Sequence, residues 1–138
     1  MSPVSRTLDD LDPRMQPKAF ELLARAAERG IPLLIVSTGR TAEEQAEAVR
    51  TGHSLVNHSR HQDGMAIDVV PYEVYQLHGP DKLRWDTHDP VWRAIGQIGE
   101  SLALRWGGRF APLNREGIGW DPGHFEIPAR MTRSGEDV

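Results

Sequence analysis

One charged residue interrupts an apolar run. Met65-Ala66-Ile67-Asp68-Val69-Val70, ended by Pro71, reads as a β-strand with an aspartate in its middle. Strand alternation turns Ala66, Asp68 and Val70 to one face, and Met65, Ile67 and Val69 to the other. A carboxylate held among Ala, Ile and Val is costly unless something pairs with its charge. Any fold built on this strand must therefore bring a partner to Asp68. A metal ion, a buried arginine and a set of backbone N–H donors all meet that requirement.

The 138 residues suit one domain, 1–138, with 132–138 as a polar tail. A chain of this length buries a core without staples, and its 38% hydrophobic and 26% charged content is that of a globular protein. There is no cysteine, which excludes disulfides, a thiol nucleophile and cysteine-based metal sites. The net charge of -4 argues against nucleic acid as a partner. The longest strongly apolar run, Ile31–Val36, is too short to span a bilayer, so no membrane insertion is expected. Met1–Pro13 contain no apolar signal core, which predicts synthesis in the cytoplasm without a signal peptide.

Apolar residues at helical spacing predict a helix over Pro17–Arg29, with Gly30 at its C-terminal cap. Pro32–Ser37 reads as a buried strand. Thr41 and Glu44 have capping-box spacing and open a second helix that runs to Arg50. Pro71–His88 reads as a long excursion. Asp89-Pro90 starts another helix, whose stripe is Val91, Trp92, Ile95, Ile98, Leu102 and Leu104. Arg105–Trp106 begins a strand broken by Gly107-Gly108, and a last strand lies near Gly123–Ile127. Mixed helices and short strands predict an α+β fold, a small antiparallel sheet with packed helices.

A second polar constellation sits in that last strand. His124 and Glu126 share a face, while Phe125 and Ile127 point into the core. Asp121 precedes His124 across a Pro-Gly turn that can fold it back over the histidine. With His61, in the turn before the strand that holds Asp68, two histidines plus one aspartate make a three-ligand zinc set with a fourth position left for water, the pattern of a catalytic site. A spare carboxylate nearby is what such a site uses as general base. Arg40, between the strand Pro32–Ser37 and the capped helix, has two readings: a surface cation, or a clamp for a carboxylate or a developing oxyanion.

His61-x2-Gly64-x-Ala66-x-Asp68, preceded by Ser59 and followed by Asp121-x2-His124-Phe125-Glu126, resembles the zinc peptidases that act on peptidoglycan stem peptides. These comprise the D-alanyl-D-alanine carboxypeptidases and dipeptidases and the L-alanyl-D-glutamate endopeptidases. Gly39-Arg40-Thr41-x2-Glu44-Gln45 and Trp106-Gly107-Gly108-x-Phe110 are also similar to stretches of that family. The resemblance implies one zinc ion held by His61, Asp68 and His124, with Asp121 as general base and Arg40 stabilising negative charge on the substrate. Ser59 and Glu126 match family positions and take support roles. An aspartate at the base position is more like the endopeptidase branch, including small phage endolysins. The implied function is hydrolysis of the L-Ala–D-Glu bond by a monomer that reaches the cell wall. The alternatives are a D,D-carboxypeptidase or dipeptidase with the same centre, and a non-catalytic zinc-stabilised binding module.

Other polar and aromatic residues have plainer readings. Glu126 either orients a ligand histidine or makes a cross-strand salt bridge. Trp106, Phe110 and Trp120 have two readings, the lining of a substrate groove or the core, and are expected in the core. His53 and His58 lie in a polar loop and are expected to be solvated. Asp9, Asp10 and Asp12 fit charge complementarity at a helix N-terminus better than a calcium site.

Overall fold

The fold is taken from a computed structural model, which describes residues 6–39, 50, 64–73 and 83–128. After a short 3-10 turn at Leu8–Asp10, helix α1 covers Gln16–Glu28 and strand β1 covers Leu33–Ser37. Strand β2 is Ala66–Pro71, helix α2 is Val91–Ser101, β3 is Arg105–Trp106 and β4 is His124–Glu126. A 3-10 turn at Gly107–Arg109 follows β3 directly. The four strands form one antiparallel sheet in the order β1-β2-β4-β3. The α+β expectation holds, with two helices and this sheet among the described residues.

Element ends differ from the sequence expectation for local reasons. Pro71 closes β2 as its last residue, opposite Leu33 on the neighbouring strand, rather than lying beyond it. Helix α2 stops at Ser101, because Ala103 takes a positive φ of 63° and turns the chain. Leu104 still reaches the core from this turn, at 4% exposure. At the other end of α2, the Asp89 carboxylate accepts a bond from the Val91 N–H at 3.0 Å and satisfies a donor of the first turn. Of the expected helix at Thr41–Arg50, only Arg50 lies within the described residues, and it is helical.

Register sorts the side chains of the sheet into two faces. Ile67, Phe125 and Trp106 stand side by side across β2, β4 and β3. Their row packs under α2: a Cβ on Gly96 would lie 2.5 Å from the Trp106 ring, and one on Gly99 would lie 2.3 Å from Phe125. The helix thus presses its smallest residues onto the largest rings of the sheet. Leu22 and Ala26 of α1 and Ile95 and Ile98 of α2 complete one continuous core with these rings. The alternate residues carry the chemistry. Asp68 stands opposite His124, and Glu126 stands between Ala66 and Arg105. All of these belong to the face away from α2.

Candidate metal centre

Asp68 is placed by β2 and His124 by β4, and their pairing sets the two side chains against each other. His124 Nδ1 is 3.2 Å from Asp68 Oδ1. Asp121 comes from the turn that precedes β4, where His124 N–H donates to the Asp121 carbonyl at 3.1 Å. That turn folds the Asp121 carboxylate back, so that Oδ2 lies 3.6 Å from the same Nδ1. One donor atom from each of Asp68, Asp121 and His124 lies within 4.8 Å of the others. Two carboxylate oxygens and an imidazole nitrogen suit a divalent cation that accepts mixed oxygen and nitrogen ligands.

The site has a floor and a mouth. His124 is 5% exposed, Asp68 18% and Asp121 32%. Burial pushes the His124 imidazole down. Its bonds to Asp68 and Glu126 and the charges of Asp68 and Asp121 outweigh that and lift it to about 10 in the metal-free chain. A histidine held so strongly as a cation marks a place where negative charge has been collected, and a metal ion is the other cation that can occupy it.

Neighbouring residues fix the turn that carries Asp121. The Trp106 indole N–H donates to the Pro122 carbonyl at 2.7 Å, in a buried position. Gly107 passes so close to the turn that a Cβ there would lie 1.9 Å from the Asp121 carbonyl oxygen. The Trp-Gly-Gly stretch is therefore a bracket for the turn, and only glycine fits its second position. Gly64 has a comparable place at the entry to β2. It takes φ of 72°, and a Cβ there would lie 2.9 Å from the backbone nitrogen of Asp12, which donates to the Gly64 carbonyl. Near Asp68, one extra residue between Ile35 and Ser37 shifts the register of β1, and Ser37 comes opposite Asp68. A bulge of this kind re-aims the end of a strand beside a site.

Of the residues singled out in the sequence, Asp68, Asp121, His124 and Glu126 come together. His61, Arg40 and Ser59 lie outside the described residues, as do His53 and His58. Glu126 satisfies both of its readings at once: Oε1 accepts from His124 Nε2 at 2.6 Å, and Oε2 lies 3.6 Å from Arg105 Nη1 across the strands. Trp106 is a core residue at 1% exposure, as expected. Phe110 and Trp120 are not in the core. Both are half-buried, because the chain leaves the sheet after β3. The Phe110 ring lies 5.6 Å from that of His124 and walls the site. Sequence reading favoured the core for Phe110 and did not single out Arg105, whose place opposite Glu126 comes from long-range strand register. Asp12 does not face α1 as a lone charge. Its carboxylate is taken up by the Arg14 side chain and backbone N–H, which holds it down to about 2.

Comparison with known proteins bears on this geometry. A family model described as D-alanyl-D-alanine carboxypeptidase matches residues 53–127, more than half of the chain. The L-Ala D-Glu endopeptidase ChiX of Serratia marcescens is similar, with 24% identity and a TM-score of 0.56, over 91% of this chain and 89% of that one. The D,D-pentapeptidase VanY of a VanB-type vancomycin resistance cassette, in complex with Zn(II), has 19% identity and a TM-score of 0.55, over 84% and 71%. VanYB in complex with D-alanine-D-alanine has 19% identity and a TM-score of 0.56, over 84% and 70%. These structures share the fold. No curated protein matches the chain.

Proposed function

The chain belongs to the D-alanyl-D-alanine carboxypeptidase family, peptidoglycan-acting metallopeptidases that depend on zinc, and from that premise we propose that it hydrolyses the L-Ala–D-Glu bond of peptidoglycan stem peptides. The observation that carries this reading is the meeting of Asp68, Asp121 and His124 donor atoms within 4.8 Å. His61, Asp68 and His124 would hold the ion; His61 precedes β2 in the sequence. Bound zinc supplies Lewis-acid polarisation of the scissile carbonyl and eases deprotonation of water.

The chain's own groups do the rest. Asp121 is the most exposed member of the cluster, at 32%. Its carboxylate accepts the proton of the attacking water and returns it to the leaving amine. Arg40 follows Gly39 beyond the end of β1 and stabilises the charge that builds on the carbonyl oxygen. His124 stays fixed throughout, held at Nε2 by Glu126. An aspartate at the base position supports an endopeptidase over a carboxypeptidase. We further infer that the protein acts as a monomer at the cell wall; no helix among the described residues is long and apolar enough to cross a membrane.

Digestion of purified peptidoglycan, with and without a chelator, tests the reading through the masses of the fragments. Muramyl ends that keep a lone L-Ala, formed only without chelator, support the endopeptidase. Release of terminal D-Ala identifies a D,D-carboxypeptidase instead, the activity in the description of the matching family model. No fragments at all, from protein shown to bind zinc, leaves a non-catalytic binding module.

A further inference from the structure

His124 can offer a metal either of two ring nitrogens, and the fold has to choose between them. The Nδ1 side faces Asp68 and Asp121. The Nε2 side faces Glu126 Oε1 at 2.6 Å. A neutral imidazole carries one N–H, and a carboxylate against Nε2 keeps the proton there, so the lone pair is left on Nδ1. Glu126 can do this only while it is ionised and in place. Its side chain is 6% exposed, where an unpaired carboxylate is costly. The cation that meets it is Arg105, whose Nη1 lies 3.6 Å from Glu126 Oε2.

Strand register and one further contact hold that guanidinium. Arg105 stands opposite Glu126 in the register of β3 and β4. Its guanidinium carbon lies 4.6 Å from the centre of the Phe110 ring, and Phe110 packs against His124. On the other side of Glu126 stands Ala66, fully buried, whose methyl group takes little of the row. Resting on the zinc-binding reading above, we infer that Arg105 is a positioning residue: through Glu126 it holds His124 with Nε2 protonated and Nδ1 turned to the metal position. The relay acts from behind the histidine and touches neither substrate nor ion. It belongs to the class of partners whose loss typically weakens metal binding by about 10- to 100-fold when the contact to the ligand is direct.

The test is zinc affinity, by competition with a chromogenic chelator, for wild type, Arg105→Ala, Arg105→Lys, Glu126→Gln and the double variant Arg105→Ala/Glu126→Gln. Nitrogen NMR of the His124 ring in the zinc-loaded wild type accompanies it. The expected results are a ring protonated on Nε2 and about two- to fivefold weaker binding for Arg105→Ala, the range of a partly exposed ion pair. Arg105→Lys recovers most of the loss. In the Glu126→Gln background Arg105→Ala has no further effect, because the relay is already cut. The inference is overturned by a ring protonated on Nδ1, by wild-type affinity in Arg105→Ala, or by an equal loss with and without Glu126. If Glu126→Gln does not fold, the ring nitrogens and the Ala-against-Lys comparison at Arg105 still decide. A wild type that binds zinc and cuts peptidoglycan beside an unaffected Arg105→Ala sinks the relay alone. A wild type that takes up no zinc overturns the functional reading together with it.

Discussion

Asp121 and His124 are three positions apart and receive opposite treatment from the fold. Asp121 is left open enough to exchange protons with a substrate, whereas His124 is sealed. If Asp121 is the general base, Asp121→Asn should keep zinc and lower the rate of stem-peptide cleavage by about 10² to 10⁴, measured as single-turnover hydrolysis beside zinc content. His124 sets the pH behaviour of the metal-free chain. Its folded value is raised from 6.5 to about 10, so the stability it contributes is fully present below 6.5 and is lost as pH rises through 10. Urea unfolding of the metal-free protein should show stability falling across that window, and the ring should remain an imidazolium at pH 8 by NMR. A ring that titrates near 6.5 would contradict this. Zinc must displace the Nδ1 proton, so its affinity should rise about tenfold per pH unit in the same range.

Strands and turns divide the work of the site. Asp68 and His124 ride on paired strands, while Asp121 rides on a turn tied down by Trp106 and Gly107. Trp106→Phe keeps the ring but leaves the Pro122 carbonyl without its donor, which should cost about 1–3 kcal/mol in chemical unfolding. Because β2 and β4, which carry Asp68 and His124, are untouched, cleavage should slow while zinc affinity stays within about twofold. Gly107→Ala should be harsher on both stability and rate, since backbone must move to admit the methyl group. The strands and helices themselves were legible: periodicity places α1 and α2 within a residue or so at their starts, and Arg105–Trp106 was readable as a strand broken by glycines. The motif residues pointed to Asp68, Asp121 and His124 together. The insertion of β4 between β2 and β3 was not legible. It depends on pairing between residues 56 positions apart, Asp68 and His124, which no local pattern encodes. Phe110 was assigned to the core for the same reason, because its place against His124 is set by how the chain leaves β3 and returns.

For the molecule as a whole, the cluster of like charges around His124 is a liability without a cation. A cation that binds the folded chain in preference to the unfolded one stabilises it, so loading should raise the melting temperature. Free zinc at 100 times its dissociation constant adds about 2.7 kcal/mol, roughly 10 °C for a domain of this size. Calorimetry with and without a chelator measures the difference, and equal melting temperatures would show that the centre is not filled.

The bulge near the end of β1 carries a consequence for redesign. It uncouples the phase of the strand's body from that of its exit, so the hydrophobic stretch can stay anchored while the exit is redirected. A graft at that junction has to keep Arg40, which the proposed chemistry uses, and Ser37 opposite Asp68 is the natural splice mark.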